Sequence, residues 1–514
     1  MTGEVTRRRL FGQAGGAAVG LAGLGIVGGC SGSQAADTSE SGGLPVGQIV
    51  PDRFERGGYH QFITRPDLHP PVIKVSRKAQ GSYASNIFMT APYSGPGFGG
   101  SMILDARGDL VWMERDSPAA HRIEFNMQMY KGEPHLTWWE GVETHGWGQG
   151  VAVLADSSYR RLHTIHAHGK DVKLDHHEFN ITPQNTALVT IFRTHTGVDL
   201  RKVGGPKHGV LVSGMYQEID IASGKLLHEW DSLDHGHVPI TESNQVFAGG
   251  VPSNPWDYFH INSLVVTPDG EHVLISSRNT WTIYMVHRRT GKIVWRMGGK
   301  KSDFTFGPGV KYYWQHHVRW HGNGDVLSVF DNGAAPAKER QSRAIVLDVD
   351  FHKMHVTLRH QYFHPHLKVS SAAMGNAQLL PDGRMFVGWG TNPFFNEYHA
   401  NGDVIVAGTQ GHGNASYRIF TYDWEGHPTS PPDVAVHHKN GKALVYVSWN
   451  GAANVHSWVI LAGKSRSKLK PVATARRSGF ETAIEISNTG PFFAVRARDA
   501  KGQSLSTSKT VKIS

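Results

Sequence analysis

The sequence predicts an all-β protein, and three observations carry this prediction. Glycine and proline account for 60 and 25 of the 514 residues, a content that is typical of a chain with many tight turns. Apolar runs of strand length recur between these turn residues, and no long stretch has the periodicity of an amphipathic helix. A hydrophobic share of 39% and a charged share of 18% indicate a folded rather than a disordered chain.

The first thirty residues differ from the rest and predict an export signal. Three arginines at positions 7–9 precede an apolar, Gly/Ala-rich run to Gly29, which is typical of a twin-arginine signal peptide over residues 1–29. The run closes on Val-Gly-Gly-Cys, which resembles a bacterial lipobox, so we expect a lipid on Cys30 and a flexible tether over 30–44. An ordinary signal peptide with an incidental cysteine is the alternative. The expected location is the outer face of the bacterial cytoplasmic membrane, with the lipid as anchor.

Four segments in the body of the chain share one pattern: a polar start, an apolar strand, a turn and a second apolar strand. Their turns lie at 183–185, 268–270, 322–324 and 381–383. Further strand–turn–strand pieces follow, so that each unit has about four strands in roughly 60–85 residues. Repeated units of this kind predict a β-propeller over residues 45–428.

The last eighty or so residues change character. Residues 443–449 and 492–497 alternate like strands, and Asn450-Gly451 and Lys501-Gly502 are turn signals. A proline-rich stretch marks the boundary near 428–433. We predict a small β-sandwich over residues 432–514, which resembles a fibronectin type III module of the immunoglobulin-like class.

Composition excludes several classes of function. The single cysteine, Cys30, rules out an intrachain disulfide, a CxxC redox pair and a thiolate zinc site. The net charge of +9 comes with no basic run longer than residues 7–9, which argues against nucleic acid as a partner. The chain also has no G-x-x-x-x-G-K-[ST] phosphate loop.

Counting from the turns predicts a ring of polar side chains. The positions eight before and eight after each turn residue pair His177 with Arg193, Asn262 with Arg278, His316 with Asn332, and Gly375 with Thr391. The innermost strands of a propeller line its channel, so these ends should converge on one mouth, with His260 on the same face as Asn262. In each of the doublets 176–177 and 316–317 only one histidine should face the channel. The ring has no carboxylate, and its donors suit a tetrahedral oxyanion.

Five short stretches of the propeller region together resemble the arylsulfate sulfotransferase family. They are His-Ile-Asn-Ser at 260–263, Ser-Ser-Arg at 276–278, Trp-Arg-Met-Gly-Gly at 295–299, Gln-His at 315–316 and Phe-Asp-Asn-Gly at 330–333. The resemblance covers about residues 95–420. It implies a six-bladed propeller that moves a sulfuryl group from an aryl sulfate donor to a phenolic acceptor, with no nucleotide, metal or other cofactor. No oligomeric state follows from it.

The resemblance also implies roles for individual residues. His316 matches the histidine that becomes transiently sulfurylated. His260 is expected to protonate the departing phenolate and to deprotonate the incoming phenol. Arg278 is expected to act with them by stabilising charge on the sulfuryl oxygens. The side chains expected to bind the substrate are His177, Asn262, Thr391 and Asn332.

Two other functions remain open at this point. A non-catalytic propeller lipoprotein for binding or scaffolding would have the same fold, since propellers host many functions. A histidine-ligated zinc or copper enzyme would use several inward-facing histidines. The cationic Arg278 and the lack of a carboxylate in the predicted ring both argue against the metal enzyme.

Overall fold

The computed structural model describes residues 44–51, 55–77, 87–234, 237–322, 324–487 and 490–514. The predicted leader, Cys30 and residues 31–43 of the predicted tether lie outside these residues. The described residues are mostly β-strands, with short 3-10 segments at Arg201–Val203, Ile240–Glu242 and Gly299–Lys301. None of them forms an apolar helix of the length needed to cross a membrane.

Six sheets form the blades of a propeller, and each is built on four antiparallel strands. In five blades the four strands follow one another in the chain, and blade 6 combines one strand from the end of the propeller with three from its beginning. The strands before the first complete blade are β1 (Gln48–Ile49), β2 (Glu55–Arg56), β3 (Tyr59–His60), β4 (Lys74–Arg77), β5 (Ile87–Pro92), β6 (Gly100–Asp105) and β7 (Leu110–Arg115). Blade 1 consists of β8 (His121–Tyr130), β9 (Glu133–Thr144), β10 (Trp147–Ala155) and β11 (Arg161–Ile165). Blade 2 consists of β12 (Phe179–Ile181), β13 (Thr186–Val198), β14 (Gly209–Asp220) and β15 (Leu226–Asp231), with the short β16 (Trp256–Asp257) parallel to β14.

The other blades follow in chain order. Blade 3 consists of β17 (Ile261–Val266), β18 (His272–Ser277), β19 (Thr282–His287) and β20 (Ile293–Gly298). The short β21 (Thr305–Phe306) flanks blade 4, which consists of β22 (His316–His321), β23 (Val326–Asp331), β24 (Arg343–Asp350) and β25 (His355–Tyr362). Blade 5 consists of β26 (Asn376–Leu379), β27 (Met385–Gly388), β28 (Phe394–Tyr398) and β29 (Val404–Thr409), with β4 paired to β29. Blade 6 consists of β30 (Ser416–Tyr422), followed by β5, β6 and β7.

The first strand of each blade is its innermost strand, and these strands form a closed ring. Each of β8, β12, β17, β22, β26 and β30 contacts the next, and β30 contacts β8. Blade 6 joins β30, from the end of the propeller, to β5, from its beginning, through an antiparallel ladder. This ladder closes the ring and leaves no free sheet edge between the two ends of the propeller. The predicted all-β, six-bladed propeller is confirmed.

After the propeller come β31 (Asp433–Lys439), β32 (Lys442–Ser448), β33 (Ser457–Gly463), β34 (Lys470–Arg476), β35 (Glu481–Ser487), β36 (Phe492–Arg498), β37 (Ser504–Thr507) and β38 (Val511–Lys512). They form two sheets, and β1 pairs with β35 at one edge. Val445 and Ile484 from one sheet and Ile460 and Val495 from the other belong to a single buried core, so the sheets form a sandwich. Its likeness to a fibronectin type III module stays a prediction, as do the predicted domain boundaries.

The sandwich contacts the propeller at β7, the outer strand of blade 6. The backbone N–H of Met113 donates to Oδ1 of Asn450 at 2.9 Å, and Nδ2 of Asn450 donates to the Met113 carbonyl at 3.0 Å. The Gly451 N–H donates to the Val111 carbonyl at 2.8 Å. These bonds occupy backbone groups that an exposed edge strand would leave unpaired. Residues Leu44–Ser514 accordingly form one structural unit.

Candidate active site

A cavity of about 530 Å³ opens at one mouth of the central channel. Every blade contributes to its wall a residue that lies near the start of its innermost strand. In blade order these residues are Ile123, His177, His260, His316, Met374 and Tyr417. The predicted convergence of inner strand ends on one mouth is therefore present in the structure.

The structure brings five of the predicted site residues to this cavity and leaves two outside its wall. The five are His177, His260, Arg278, His316 and Thr391. Asn332 lies behind His316 and donates from Nδ2 to the Ser371 and Met374 carbonyls at 3.1 and 3.0 Å. Asn262 is fully buried and donates from Nδ2 to the Gln315 carbonyl at 2.6 Å. Asn262 and Asn332 thus brace the cavity wall and do not face its interior.

His316 is held as a neutral imidazole of one tautomer. Its Nδ1 lies 2.7 Å from Oδ1 of Asn332 and 3.1 Å from the Trp314 carbonyl, so Nδ1 carries the hydrogen. Its Nε2 accepts only a long contact, 3.3 Å, from the Met374 N–H. Burial and the positive charge of Arg278 hold the pKa of His316 well below its ordinary value. The Nε2 lone pair is therefore available at neutral pH.

Arg278 supplies positive charge beside this imidazole. Its guanidinium donates to Asn279 Oδ1 at 2.9 Å and to the Ala372 carbonyl at 3.1 Å, and it lies over the Trp314 ring at 4.9 Å. Among the described residues no carboxylate lies within 4 Å of it, and its buried Nε has no hydrogen-bond partner. Burial lowers the pKa of Arg278, but a guanidinium stays charged. Asp257 acts on this charge from beyond ion-pair distance, and a cation without a direct ion pair on a cavity wall favours an anionic ligand.

His177 and His260 form the centre of a chain of four side chains. Nδ1 of His177 lies 2.7 Å from Oδ1 of Asp175, and Nδ1 of His260 lies 2.5 Å from Oδ2 of Asp257. The two Nε2 atoms face each other at 3.1 Å. Both ring nitrogens of each imidazole are therefore engaged, and His177, whose side chain is 4% exposed against 13% for His260, is the less accessible of the two to a sulfuryl oxygen.

The two aspartates correct the prediction of a ring without carboxylates. Asp175 is fully buried, and burial alone would raise the pKa of its carboxyl group. The neighbouring His177 and His176 outweigh this effect and hold the pKa of Asp175 far below its ordinary value. Asp257 lines the cavity itself. The sequence signal for these aspartates is the spacing Asp-x-His and Asp-x-x-His directly before two inner strands. Both aspartates lie more than eight residues before the turn, so positions predicted at eight residues from the turn do not include them.

The pairing of the hairpin strands also differs from the prediction. In blade 2 Phe179 faces Val189, so the register is offset by two residues from the one that would pair His177 with Arg193. Arg193 instead pairs with Ser213 of the next strand, and its guanidinium lies 3.5 Å from Asp231. The reason is that the observed hairpin is centred on Gln184, whereas the predicted pairing of His177 with Arg193 requires a centre at Asn185.

Bulges shift the hairpins of blades 3 and 4. One between Ile261 and Ser263 sets the Arg278 N–H against the His260 carbonyl at 2.9 Å, so Arg278 is opposite His260 and not Asn262. His260 has φ of 55°, a left-handed conformation that costs energy in a non-glycine residue and is frequent at functional sites.

The pairs predicted for blades 4 and 5 also change. In blade 4 the Cα partner of His316 is Phe330, although its side chain still reaches Asn332. In blade 5 Asn376 faces Gly388, a register that does not pair Gly375 with Thr391.

The two histidine doublets behave differently. His316 lines the cavity, whereas His317 is outside the cavity wall and donates from Nδ1 to the Ala377 carbonyl at 3.2 Å. His176 and His177 both line the cavity and stack with ring centroids 4.2 Å apart. Strand alternation does not apply to them, because β12 begins only at Phe179.

Asp175, His176 and His177 are also close enough to hold a metal ion. However, Asp175 already accepts hydrogen bonds from the N–H groups of Gly148 and His177, from Nδ1 of His177 and from the Thr190 hydroxyl. A cation would have to displace these four donors from one carboxylate. The group therefore fits a hydrogen-bonded orienting carboxylate better than a metal centre.

The rest of the cavity wall combines aromatic and apolar side chains with the polar side chains of Glu143, His145, Gln245 and Asn254. The turn of the long β9–β10 hairpin brings Trp147, whose ring stacks on Phe192 at 5.7 Å with an angle of 5° between planes. Residues Val246 and Trp256 come from the segment between blades 2 and 3. A cavity with a cationic, hydrogen-bonding floor and an aromatic wall can hold an aryl group that carries an anionic substituent.

Comparison with known proteins identifies the family of this chain. A family model described as Arylsulfotransferase (ASST) matches residues 126–411, which is more than half of the chain. The chain belongs to this family, and membership supports aryl sulfotransferase activity in general terms. No curated protein sequence matches the chain.

Several solved structures are similar at low sequence identity. A Bacteroides caccae protein of unknown function is 12% identical, with a TM-score of 0.40, and the match covers 66% of this chain and 99% of that one. The periplasmic gluconolactonase PpgL of Pseudomonas aeruginosa is 12% identical, with a TM-score of 0.37 and coverage of 83% and 96%. The β-propeller domain of Cps50 (Swd1) from Myceliophteria thermophila is 10% identical, with a TM-score of 0.31 and coverage of 65% and 94%.

Proposed function

We propose that this chain transfers a sulfuryl group from an aryl sulfate to a phenolic acceptor through a sulfohistidine formed at Nε2 of His316. One observation carries the proposal: a neutral imidazole, whose Nδ1 donates its hydrogen to Asn332, lies in the cavity wall with Arg278, which has no direct ion pair among the described residues. A nucleophile and an anion-binding group thus share one small site.

In the first half of the reaction, Nε2 of His316 attacks the sulfur atom. The S–Nε2 bond forms, the S–O bond to the aryl group breaks, and the departing phenolate takes a proton from His260. Arg278 and the Thr391 hydroxyl stabilise the charge on the sulfuryl oxygens. The Nδ1 hydrogen stays on His316, where Asn332 accepts it, so the intermediate is an imidazolium that carries a sulfuryl group.

In the second half, a phenol takes the place of the released product. Its oxygen attacks sulfur while its proton passes to the His260 side of the cavity, and the S–Nε2 bond breaks. The same aromatic wall can receive the donor and the acceptor in turn, which is the arrangement that ping-pong kinetics require.

We also propose the cellular setting that the leader indicates. The twin-arginine pattern and the Val-Gly-Gly-Cys sequence support export and lipid anchoring at Cys30, and the sandwich is proposed to be a fibronectin type III-like module. Mass spectrometry of the membrane fraction tests the anchor. A diacylated Cys30 at the mature N-terminus is expected, and an unmodified N-terminus would contradict it.

The test of activity uses the purified chain with 4-nitrophenyl sulfate. Phenol-dependent release of 4-nitrophenolate is expected, together with a transient mass gain of one sulfuryl group on the protein. His316→Ala is expected to abolish both. His317→Ala is the matched control, because it also removes one buried imidazole but one that is outside the cavity wall. No release and no mass gain across several aryl sulfates would overturn the proposal in favour of a non-catalytic binding propeller.

A further inference from the structure

We propose that His177 and His260 share one proton between their Nε2 atoms, and that this pair, held by Asp175 and Asp257, is the proton store of the site. The location of the proton rests on the geometry of the four side chains alone. The use of that proton in catalysis rests on the proposed function.

The hydrogen bonds at Nδ1 determine where the first two protons are. Each Nδ1 lies within 2.7 Å of a carboxylate oxygen, and an ionised carboxylate only accepts hydrogen bonds. Each Nδ1 therefore carries a hydrogen. Asp175 is committed to the ionised form, since four donors converge on it and its pKa is far below the ordinary value.

The contact between the rings then requires a third proton. If both imidazoles were neutral, their single hydrogens would be on Nδ1, and two Nε2 lone pairs would face each other at 3.1 Å. Such a contact is repulsive, and one added proton converts it into an N–H···N hydrogen bond of ordinary length. The rings meet at 83° with centroids 4.7 Å apart.

Burial lowers the pKa of His177, but the charge and the hydrogen bond of Asp175 act against this effect, so the groups in direct contact favour one added proton on the pair. Two carboxylates, Asp175 and Asp257, contact it directly. On the other side, burial lowers the pKa of His176 to about 4, and His316 is neutral as well.

The remaining charged neighbours partly cancel, since Arg278 is a cation without an ion pair within 4 Å in the described part of the chain and Glu143 adds a negative charge on the same cavity wall. Arg418 is paired with the buried Glu124 and Glu178. Arg278 lines the same cavity as the pair. Phe192 and Tyr417 cover the rings.

This arrangement gives His177 a role that differs from the predicted one. With both nitrogens engaged, His177 is a positioning residue that acts through His260 and does not hold sulfuryl oxygens. When the S–O bond of the donor breaks, the stored proton moves to the phenolate oxygen, and two lone pairs are left facing each other. That repulsion favours return of a proton from the incoming phenol.

The decisive experiment observes the proton in the free enzyme. A protein with ¹⁵N-labelled histidine is expected to show a far-downfield ¹H resonance that correlates with the Nε2 nitrogens of His177 and His260. The resonance should be lost in His177→Phe and in Asp257→Asn, and kept in His321→Ala, which removes a histidine bonded to Ser328 elsewhere on blade 4. A wild-type spectrum in which both Nε2 nitrogens are unprotonated, or no resonance sensitive to His177, would overturn the proposal.

A second measurement separates proton supply from oxygen binding. In His177→Phe the loss of kcat is expected to grow with the basicity of the departing phenolate, from little for 4-nitrophenyl sulfate to on the order of 100-fold for phenyl sulfate. An equal loss for both donors would show that His177 only binds the sulfuryl group, and would overturn the catalytic half of the inference. If the wild-type enzyme cleaves no aryl sulfate, the proposed function fails, and the spectrum alone still decides where the proton is.

Discussion

Oδ1 of Asn332 lies 2.7 Å from Nδ1 of His316, although the two residues are 16 positions apart and sit at the open end of one hairpin. The amide is itself held by two backbone carbonyls through Nδ2. This leaves its Oδ1 facing the imidazole, so the fold of blades 4 and 5 determines which tautomer of His316 is present.

Asn332→Leu is therefore expected to lower kcat with little change in KM. The substitution removes the acceptor for Nδ1 but no group that lines the cavity, and the loss of one such hydrogen bond is worth about 1–3 kcal/mol, or roughly tenfold to a hundredfold in rate. Steady-state kinetics with 4-nitrophenyl sulfate measure the split. A rise in KM at constant kcat would contradict a role in tautomer selection.

Arg278→Lys and Arg278→Gln test the anion site. The lysine variant keeps the charge but loses the planar fork, so it is expected to retain part of the activity, whereas the glutamine variant should lose on the order of 100-fold or more in kcat. Arg193→Gln is the matched control, since Arg193 lies near Asp231 outside the cavity wall. Comparable losses in the Arg193 and Arg278 variants would argue against Arg278 as the oxyanion partner.

Arg418 ties four blades together across the channel. From blade 6 it pairs with Glu124 of blade 1, lies 3.4 Å from Glu178 beside blade 2, and donates to the Asn262 carbonyl of blade 3 at 2.8 Å. Arg418→Met is expected to reduce the free energy of unfolding by about 3–5 kcal/mol, because it leaves the buried Glu124 without its partner, whereas Glu178 keeps its ion pair with Arg319.

Urea denaturation measures this loss. The double variant Arg418→Met with Glu124→Gln should recover part of it, since one uncompensated charge is then removed as well. A double variant that is less stable than Arg418→Met would show that the charges at these two positions do not interact.

The buried His176 predicts a pH dependence of stability. Burial lowers its pKa from 6.5 to about 4, so between these values the unfolded chain binds a proton that the folded chain does not. The unfolded state then binds more protons, and stability decreases as the pH falls from 6.5 to about 4, by about 3 kcal/mol for this group.

Two buried acids change the stability in the opposite direction. Burial raises the pKa of Glu124 to about 7 and of Asp331 to about 6, so the folded chain binds more protons at these groups and they favour the folded state as the pH falls. The difference between the wild type and His176→Phe isolates the histidine. The free energy of unfolding of the variant should fall less steeply below pH 6.5. Parallel curves for the two proteins, measured by urea denaturation at several pH values, would be incompatible with this assignment.

Much of the fold follows from local pattern. The turns at 183–185, 268–270 and 381–383 and the alternating runs beside them identify the inner hairpins, because a hairpin is specified by residues that are close in sequence. His177, His260, His316, Arg278 and Thr391 reach the cavity for the same reason: they lie close to the ends of these hairpins.

The register of those hairpins depends on more than the turns. The bulges at Ile261–Ser263 and His316–Arg319 shift the pairing at the start of the inner strands of blades 3 and 4. They separate Asn262 from Arg278 and turn Asn262 into the protein, where it bonds the Gln315 carbonyl of the next blade. The alternation of side chains along one strand contains no information about the neighbouring blade. The sequence pattern therefore could not show that the Asn262 side chain bonds the next blade instead of facing the cavity.

The sequence by itself determined the all-β class, the repeated hairpins and the set of side chains that meet at one mouth, because these depend on short-range spacing. Only the tertiary structure decided that β30 closes the ring on β5, that Asp175 and Asp257 orient His177 and His260, and that Arg278 has no carboxylate partner within 4 Å among the described residues. These relationships join residues far apart in the chain, such as His177 and His260, which are 83 positions apart. Their energies depend on burial and on contacts between blades, and both exist only once the ring has closed.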